Sequence, residues 1–295
     1  MEINYKKRWD QIASNLDDKG AFITSLPGNT RYLGNSESPP GSPPGSTMNF
    51  VIIQKDQEPI AITSSLEEHR CREEASIKDI KCWTIYPDIK SDGKSALDVL
   101  KETLIENKID DIYSDAKLRL GRSIKSTLNN YVTEMRGVKT EDELERIKKA
   151  VKQSDAGQQF AKNLVECGEK LTEKEVRAEI DYFMARKGIQ ENSFSTIIAS
   201  GPNSAHSHHS NTDRKLEKGD SVICDFGVFW DGYCSDITRT YFVGGETSEK
   251  MKEIYNIVLD ANKRSISALT EGKSGHLVDK AGRDYIRKKG YGENF

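Results

Sequence analysis

Residues 222–244, VICDFGVFWDGYCSDITRTYFVG, contain the most informative pattern in the second half of the chain. Two apolar β-runs flank Asp231-Gly232, a dipeptide typical of two-residue hairpin turns. That turn places Asp225 directly opposite Thr238, and Asp236 shares their face because alternate residues of a strand point to the same side. The pattern therefore predicts a hairpin with two carboxylates at positions where its apolar alternation expects core residues.

Two carboxylates on one buried face repel each other, and each loses its hydration. A shared proton, a salt bridge to Arg or Lys, or a bound cation would resolve this conflict. Carboxylates suit a cation because they are hard ligands that bridge pairs of divalent ions about 3.5–4 Å apart. A different register, with the aspartates exposed or paired with Arg239, is equally compatible with the spacing.

The segment GPNSAHSHHSNTDRKLEKGD, residues 201–220, places three histidines in a loop between two strands. Loops held by rigid strands often carry chemistry, and histidine shuttles protons or binds metals near neutral pH. In an extended loop, His206 and His208 would point the same way. The sequence leaves two interpretations open, a reactive histidine and a solvated Ser/Asn/His loop.

The composition limits the classes of partner. The chain has 295 residues, enough for two domains, with 35% hydrophobic and 31% charged residues. A formal net charge of −3 does not favour nucleic acid or an acidic membrane surface. The sequence contains no apolar run of membrane-spanning length and no signal-peptide pattern. Its five irregularly spaced cysteines fit a reduced protein. We therefore expect a cytoplasmic protein with no nucleic-acid or membrane partner.

The element signals divide the chain into two predicted domains. Residues 1–134 alternate helix and strand patterns, which indicates a small α/β domain. The insertion SESPPGSPPGST, residues 36–47, is interpreted as a mobile surface loop, or alternatively as a proline-rich ligand. Residues 135–295 form the second domain. Two capping-box patterns predict helix starts there: Thr140 with Glu143, and Thr172 with Glu175.

The stretch DFGVFWDGYCSDITRT resembles the signature hairpin of the pita-bread metallopeptidases, the M24 family, which includes Xaa-Pro aminopeptidases, prolidases and methionine aminopeptidases. SFSTIIASGPNSA and LEKGD are similar to the family's segment before that hairpin, and EIYNIVLDANKR and RDYIRKKGYGENF to its segments after the hairpin. NTRYLGN is similar to the N-terminal domain of creatinase and prolidase. The resemblance implies an α+β protein with a creatinase/prolidase-like α/β domain before a pita-bread catalytic domain. A separate N-terminal domain favours the proline-directed branch.

Carried over by motif, Asp225 and Asp236 match the first two metal ligands of that family, and Asp236 would bridge both ions. His208 matches the histidine that assists the substrate or the tetrahedral intermediate. The family has Leu-Pro-His-Gly there, whereas this chain has His206-Ser207-His208-His209, so which histidine acts stays open. One further His and two Glu ligands lie downstream of GYGE in the family. We therefore expect a C-terminally truncated chain with an incomplete pita-bread domain and an incomplete dinuclear site.

The resemblance implies a Xaa-Pro dipeptidase or aminopeptidase that uses two divalent ions, Mn, Co or Zn, and acts on short proline-containing peptides. We expect the chain to be inactive alone unless a complementing C-terminal chain supplies the other ligands. A homodimer is expected because relatives form one. The alternative is a non-catalytic binding module of the same fold, or one half of a split enzyme.

Overall fold

The architecture is taken from a computed structural model, which describes residues 3–36, 47–118, 120, 124–167, 170–189 and 191–295. The residues form two compact units: Met1–Ala150 with Phe229–Cys234, and Val151–Val228 with Ser235–Phe295. Residues 37–46 of the proline-rich segment lie outside the described residues, so its interpretation as a surface loop remains a prediction. The domain boundary predicted after residue 134 also stays a prediction.

The first unit contains a six-stranded sheet with the strand order β4-β3-β2-β1-β5-β6. Strand β2 pairs antiparallel with both β1 and β3, whereas the pairs β3–β4, β1–β5 and β5–β6 are parallel. The strands are β1 Gly20–Thr24, β2 Met48–Gln54, β3 Ile60–Ser64, β4 Asp79–Trp83, β5 Asp111–Ser114 and β6 Lys125–Leu128. The helices are α1 Tyr5–Ala13, α2 Pro27–Gly34, α3 Glu68–Glu74, α4 Ala96–Glu106 and α5 Tyr131–Met135.

Strand β1 is buried on both faces, as expected for a central strand covered by helices. Successive residues of β1 belong to two different hydrophobic clusters, because they point to opposite faces of the sheet. Phe22 lies in the cluster that contains Leu33 of α2, whereas Ile23 lies in the cluster that contains Leu100 of α4. The α/β character predicted from the alternating signals is therefore present. Elements α2, α3, α5, β4 and β6 were not predicted, because each is a short run without a clear apolar period.

The second unit contains a three-stranded sheet with the order β12-β9-β8, in which both pairs are antiparallel. The elements that follow α5 along the chain are α6 Glu141–Cys167, α7 Glu173–Arg186, β7 Glu191–Asn192, β8 Ile197–Ser200, β9 Ser221–Phe226, β10 Val228–Trp230, β11 Tyr233–Cys234, β12 Ile237–Phe242, α8 Glu249–Ala268 and α9 Gly275–Lys288.

Helix packing in the second unit leaves little space between α6, α7 and β9. A Cβ atom at Gly157 of α6 would lie 2.6 Å from Met184 Sδ of α7 and 2.8 Å from the ring of Phe226 in β9. Phe160 of α6 and Phe183 of α7 stack with their ring centroids 4.3 Å apart. The two helices therefore form a firm support for one face of β9.

Both predicted capping boxes lie at the start of a helix, and they differ in their hydrogen bonds. At α7, Thr172 and Glu175 make both reciprocal bonds of the motif. At α6, the Glu143 carboxylate accepts hydrogen bonds from the backbone N–H and the hydroxyl of Thr140, at 3.0 and 2.9 Å. Both helix starts agree with the prediction. Within the part of the chain that the structure describes, no helix is long and apolar enough to cross a membrane.

Candidate functional site

The hairpin has the predicted register. Asp231 and Gly232 occupy the turn with φ of 45° and 85°, which a two-residue turn of this hand requires. Trp230 pairs with Tyr233 in the β10–β11 segment. Further along, Asp225 of β9 lies opposite Thr238 of β12, and Thr238 Oγ1 donates a 2.8 Å hydrogen bond to Asp225 Oδ1. The alternative register, which would pair the aspartates with Arg239, is excluded because Arg239 lies opposite Cys224.

The structure brings the two predicted carboxylates together. Partial desolvation raises the pKa of Asp236, and the negative charge of Asp225 and a hydrogen bond to it raise this pKa further. The two groups are therefore close enough to repel each other as anions or to share a proton. A cation placed between them would remove the repulsion.

The expectation that this face is buried was wrong. Asp236 and Thr238 are exposed, and Asp225 is half-buried. The opposite face is the buried one, because Gln158 of α6 lies beneath it and donates to the carbonyl oxygens of Cys224 and Ile237, at 3.1 and 2.6 Å. Burial raises the pKa of the Cys224 thiol to about 12, so this group is a neutral core side chain. The aspartates thus lie on an accessible surface.

Asp225 and Asp236 are the residues whose side chains could bind a divalent cation here. Within the described residues, no group of three or more His, Cys, Asp or Glu side chains converges in a way that could hold a metal ion. His208 therefore does not join the two aspartates as a third ligand. Its predicted role beside the metals, rather than on them, remains a prediction.

The three histidines follow the 3-10 turn Gly201–Ala205 and have different environments. His206 and His208 are exposed. The His209 side chain is only 8% exposed, and its Nε2 atom lies 2.7 Å from Glu173 Oε2. Residues 201–214, called the histidine loop below, are therefore not a uniformly solvated segment.

Glu173, the first residue of α7, was not among the functional residues predicted from the sequence. Its side chain is fully buried and accepts six described hydrogen bonds. Oε1 accepts from Ser200 N, Ser200 Oγ and Asn203 Nδ2, and Oε2 accepts from His209 Nε2, Thr212 N and Thr212 Oγ1. Burial alone would raise the pKa of Glu173, but these donors outweigh it and lower the pKa to about 2.

The far end of the histidine loop is held by an ion pair. Arg214 Nη1 donates to Asp220 Oδ2 at 2.6 Å and to Ser200 Oγ at 2.8 Å. Gly201 has a φ of 50°, and a Cβ atom there would lie 2.6 Å from Asp220 Oδ1. A glycine is required where the loop leaves β8, because a side chain would displace this pair.

The sequence model of metallopeptidase family M24 matches residues 145–295. The chain is 30% identical to a Xaa-Pro dipeptidase of Pyrococcus furiosus over 98% of this chain and 80% of that protein. Its fold is similar to the solved Xaa-Pro dipeptidase from Bacillus anthracis, with a TM-score of 0.81 and 29% identity over 98% of this chain and 79% of the other.

It is also similar to the solved X-Pro aminopeptidase from Thermotoga maritima, with a TM-score of 0.77 and 29% identity over 97% of this chain and 79% of that one. These similarities confirm the predicted α+β fold, with a creatinase/prolidase-like part followed by a pita-bread catalytic domain. The alignment covers 98% of this chain and 80% of the relative and does not confirm the expected truncation, which stays a prediction. The chain belongs to metallopeptidase family M24.

Proposed function

We propose that this chain is a metal-dependent peptidase of the Xaa-Pro dipeptidase or aminopeptidase type, acting on short proline-containing peptides. The observation that carries the proposal is the pair Asp225 and Asp236, which the hairpin holds together on an accessible face. The relatives support the substrate class, since those from P. furiosus and B. anthracis are named Xaa-Pro dipeptidases.

Membership of the M24 family implies divalent metal ions, and aspartate side chains are a suitable type of ligand for such ions. Both donors are hard carboxylate oxygens, and their mutual repulsion would be relieved by a cation. Two ligands are few for such a site, and within the described residues no third metal-binding side chain converges on the aspartates. We propose Mn, Co or Zn as the ions, which Asp225 and Asp236 would hold.

Each residue has a proposed task. Asp225 and Asp236 would hold the ions, and a bound divalent ion would supply Lewis acidity at the scissile carbonyl group. His208 is proposed to donate a hydrogen bond to the substrate or to the tetrahedral intermediate. Its exposed side chain leaves it accessible to a peptide, whereas His209 is occupied by Glu173.

The small number of converging ligands supports a second candidate. In this alternative the chain alone is inactive and acts as a binding module, or a second polypeptide completes the ligand set. The two aspartates argue against a purely non-catalytic module, because without a cation their mutual repulsion destabilises the hairpin. A stable partner recovered by pull-down with metal-free protein would favour this second candidate.

The test combines metal binding with peptide hydrolysis. Titration calorimetry with Mn²⁺, Co²⁺ and Zn²⁺ should give about two ions per chain or per completed complex. Hydrolysis of a Xaa-Pro dipeptide should depend on these ions and exceed that of the matching Xaa-Ala dipeptide. Metal-loaded protein that cleaves neither dipeptide, with or without a co-purifying chain, would contradict the proposal.

Variants of the same hairpin provide the controls. Asp225→Asn and Asp236→Asn should each abolish tight metal binding, because an amide is a neutral and weaker ligand. Asp231→Asn is the matched control, since Asp231 lies in the same hairpin but pairs with Arg146 Nε at 2.8 Å. It should bind metal like the original chain. Equal loss in all three variants would show that the hairpin fold, and not a metal site, had been disturbed.

Two further proposals concern the state of the protein. We propose a homodimer, to be tested by light scattering of the purified chain. We also propose a cytoplasmic location, supported by five cysteines that are all free thiols: Cys71, Cys82, Cys167, Cys224 and Cys234. Cell fractionation that recovers the protein in an oxidising compartment would contradict the second of these.

A further inference from the structure

We propose that Glu173 is a positioning residue whose buried carboxylate fixes the histidine loop, so that His208 and not His209 is presented to the substrate. The inference deepens the proposed peptidase function, on which it rests for the role of His208. It assigns to Glu173 no contact with substrate or metal.

The carboxylate joins the two ends of the loop. Oε1 accepts hydrogen bonds from Ser200 and Asn203, where the chain leaves β8. Oε2 accepts hydrogen bonds from His209 and Thr212, where the chain returns. One buried side chain therefore closes the loop at its base. Without these hydrogen bonds, conformational entropy would favour many conformations of the loop. The bonds to Glu173 hold it in one.

The same contacts distinguish the histidines. The pKa of Glu173 is lowered to about 2, so its carboxylate is ionised near neutral pH and only accepts hydrogen bonds. In the hydrogen bond between the two residues, His209 Nε2 must therefore carry the proton. The His206 ring stacks on that of His209, with a centroid distance of 6.4 Å. In the described part of the chain, no hydrogen bond, ion pair or ring contact involves His208. His208 is thus the exposed histidine without such contacts, and we assign it to the substrate.

The network also requires a carboxylate and not merely a residue of that size. All six described partners of Glu173 are donors, three on each oxygen. Glutamine has nearly the same shape, but its amide nitrogen would face donors at one end of the loop whichever way it is turned. The position of Glu173 at the N-terminus of α7 adds a favourable interaction with the helix dipole that a neutral amide lacks.

The test uses Glu173→Gln, with Glu175→Gln as the matched control. Glu175 is also in the first turn of α7, but its carboxylate binds Thr172 and not the histidine loop. Amide hydrogen exchange followed by mass spectrometry should show peptides of residues 201–214 exchanging about tenfold faster in Glu173→Gln. In Glu175→Gln the increase should be confined to the start of α7. Unchanged exchange in the loop of Glu173→Gln would overturn the proposal.

Histidine NMR adds a readout that a general loss of stability would not produce. The original chain should show one Nε2–H resonance protected from solvent exchange, assigned to His209. It should disappear in Glu173→Gln and His209→Asn, and persist in His208→Asn and Glu175→Gln. Its persistence in Glu173→Gln would overturn the assignment of His209 to this carboxylate.

A double-mutant cycle links Glu173 to the reaction. In the metal-loaded preparation, Glu173→Gln should lower kcat/KM about tenfold, whereas adding it to His208→Asn should cause little further loss. Additive losses would overturn the claim that Glu173 acts through His208. If the unmutated protein cleaves no Xaa-Pro peptide, the proposed function fails. The exchange and NMR measurements still decide whether Glu173 positions the loop.

Discussion

Thr238 and Asp225 face each other across the β9–β12 pair, and the Thr238 hydroxyl donates to the carboxylate at 2.8 Å. This bond fixes the direction of one oxygen of Asp225. The pKa of the neighbouring Asp236 is raised mainly by partial desolvation and further by the negative charge of Asp225. The metal-free site therefore contains an unfavourable charge pair of the kind that a cation would stabilise.

The first prediction concerns Asp236→Asn. A carboxyl group whose pKa is raised by folding destabilises the fold when ionised, so its removal should stabilise the metal-free chain above that pKa. Asp236 is exposed and screened by solvent, which limits the gain to a few tenths of a kcal/mol near pH 7. Urea unfolding in the presence of a chelator measures the difference. Added Mn²⁺ should then stabilise the original chain and leave Asp236→Asn unchanged.

The second prediction concerns acid unfolding. The folded-state pKa of Glu173 is about 2, well below its ordinary value near 4.5. A depressed carboxyl pKa gives stability that is complete above the unfolded value and is lost as pH falls through the folded value. The window is thus about pH 4.5 to 2, and the loss is on the order of 3 kcal/mol. Urea unfolding across this range should show a steep fall that Glu173→Gln flattens. Identical slopes in both proteins would contradict it.

The sequence predicted the pairing of Asp225 with Thr238 because a two-residue turn at Asp231-Gly232 leaves only one register, and alternation then sets the shared face. It could not predict which face is covered. That depends on α6, whose Gln158 reaches the strand carbonyls from far along the chain.

Glu173 illustrates the other limit of sequence reasoning. The pattern Thr-Glu-Lys-Glu marks a helix start, and the motif rule draws attention to Glu175 at its fourth position. The donors to Glu173 lie 27–39 residues away, in a loop whose return path no local pattern fixes. The only local signal was a glutamate directly after a capping threonine.

The third prediction concerns a buried ion pair in the first unit. Arg8 and Glu143 are 6% and 2% exposed, and Arg8 Nη2 lies 3.8 Å from Glu143 Oε1. Tyr233 donates to the same oxygen at 3.1 Å. Arg8→Ala leaves a buried anion without its cation, so the free energy of unfolding should fall by about 3–5 kcal/mol. Denaturant titration of the purified variant measures this loss.

Lys6→Ala is the control for that measurement. Lys6 lies on the same helix, but its ion pair with Asp10 is exposed to solvent. Exposed pairs of this kind contribute little to stability, so Lys6→Ala should unfold at nearly the same denaturant concentration as the original chain. Similar losses in the two variants would show that helix α1, and not the buried pair, determines the result.

The last prediction concerns Gly227, which separates β9 from β10 next to the candidate metal ligands. A Cβ atom there would overlap the backbone carbonyl oxygen of Ser235 and the hydroxyl of Ser193. Ser193 Oγ donates to that same carbonyl at 2.6 Å, so neither group can move away without breaking the bond. Gly227→Ala should therefore cost more than about 3 kcal/mol and shift Asp225 relative to Asp236.

Gly275→Ala provides the contrast, because a Cβ atom at the first residue of α9 meets nothing within 4 Å. That substitution should raise the free energy of unfolding by about 0.4–1 kcal/mol, through reduced freedom of the unfolded chain. Urea unfolding compares the two variants, and Mn²⁺ titration reports on the aspartates. If Gly227→Ala unfolds at the same urea concentration as the original chain, the close packing of Ser193, Gly227 and Ser235 does not exist in solution. If it is destabilised but binds Mn²⁺ normally, the separation of the two carboxylates does not depend on this contact.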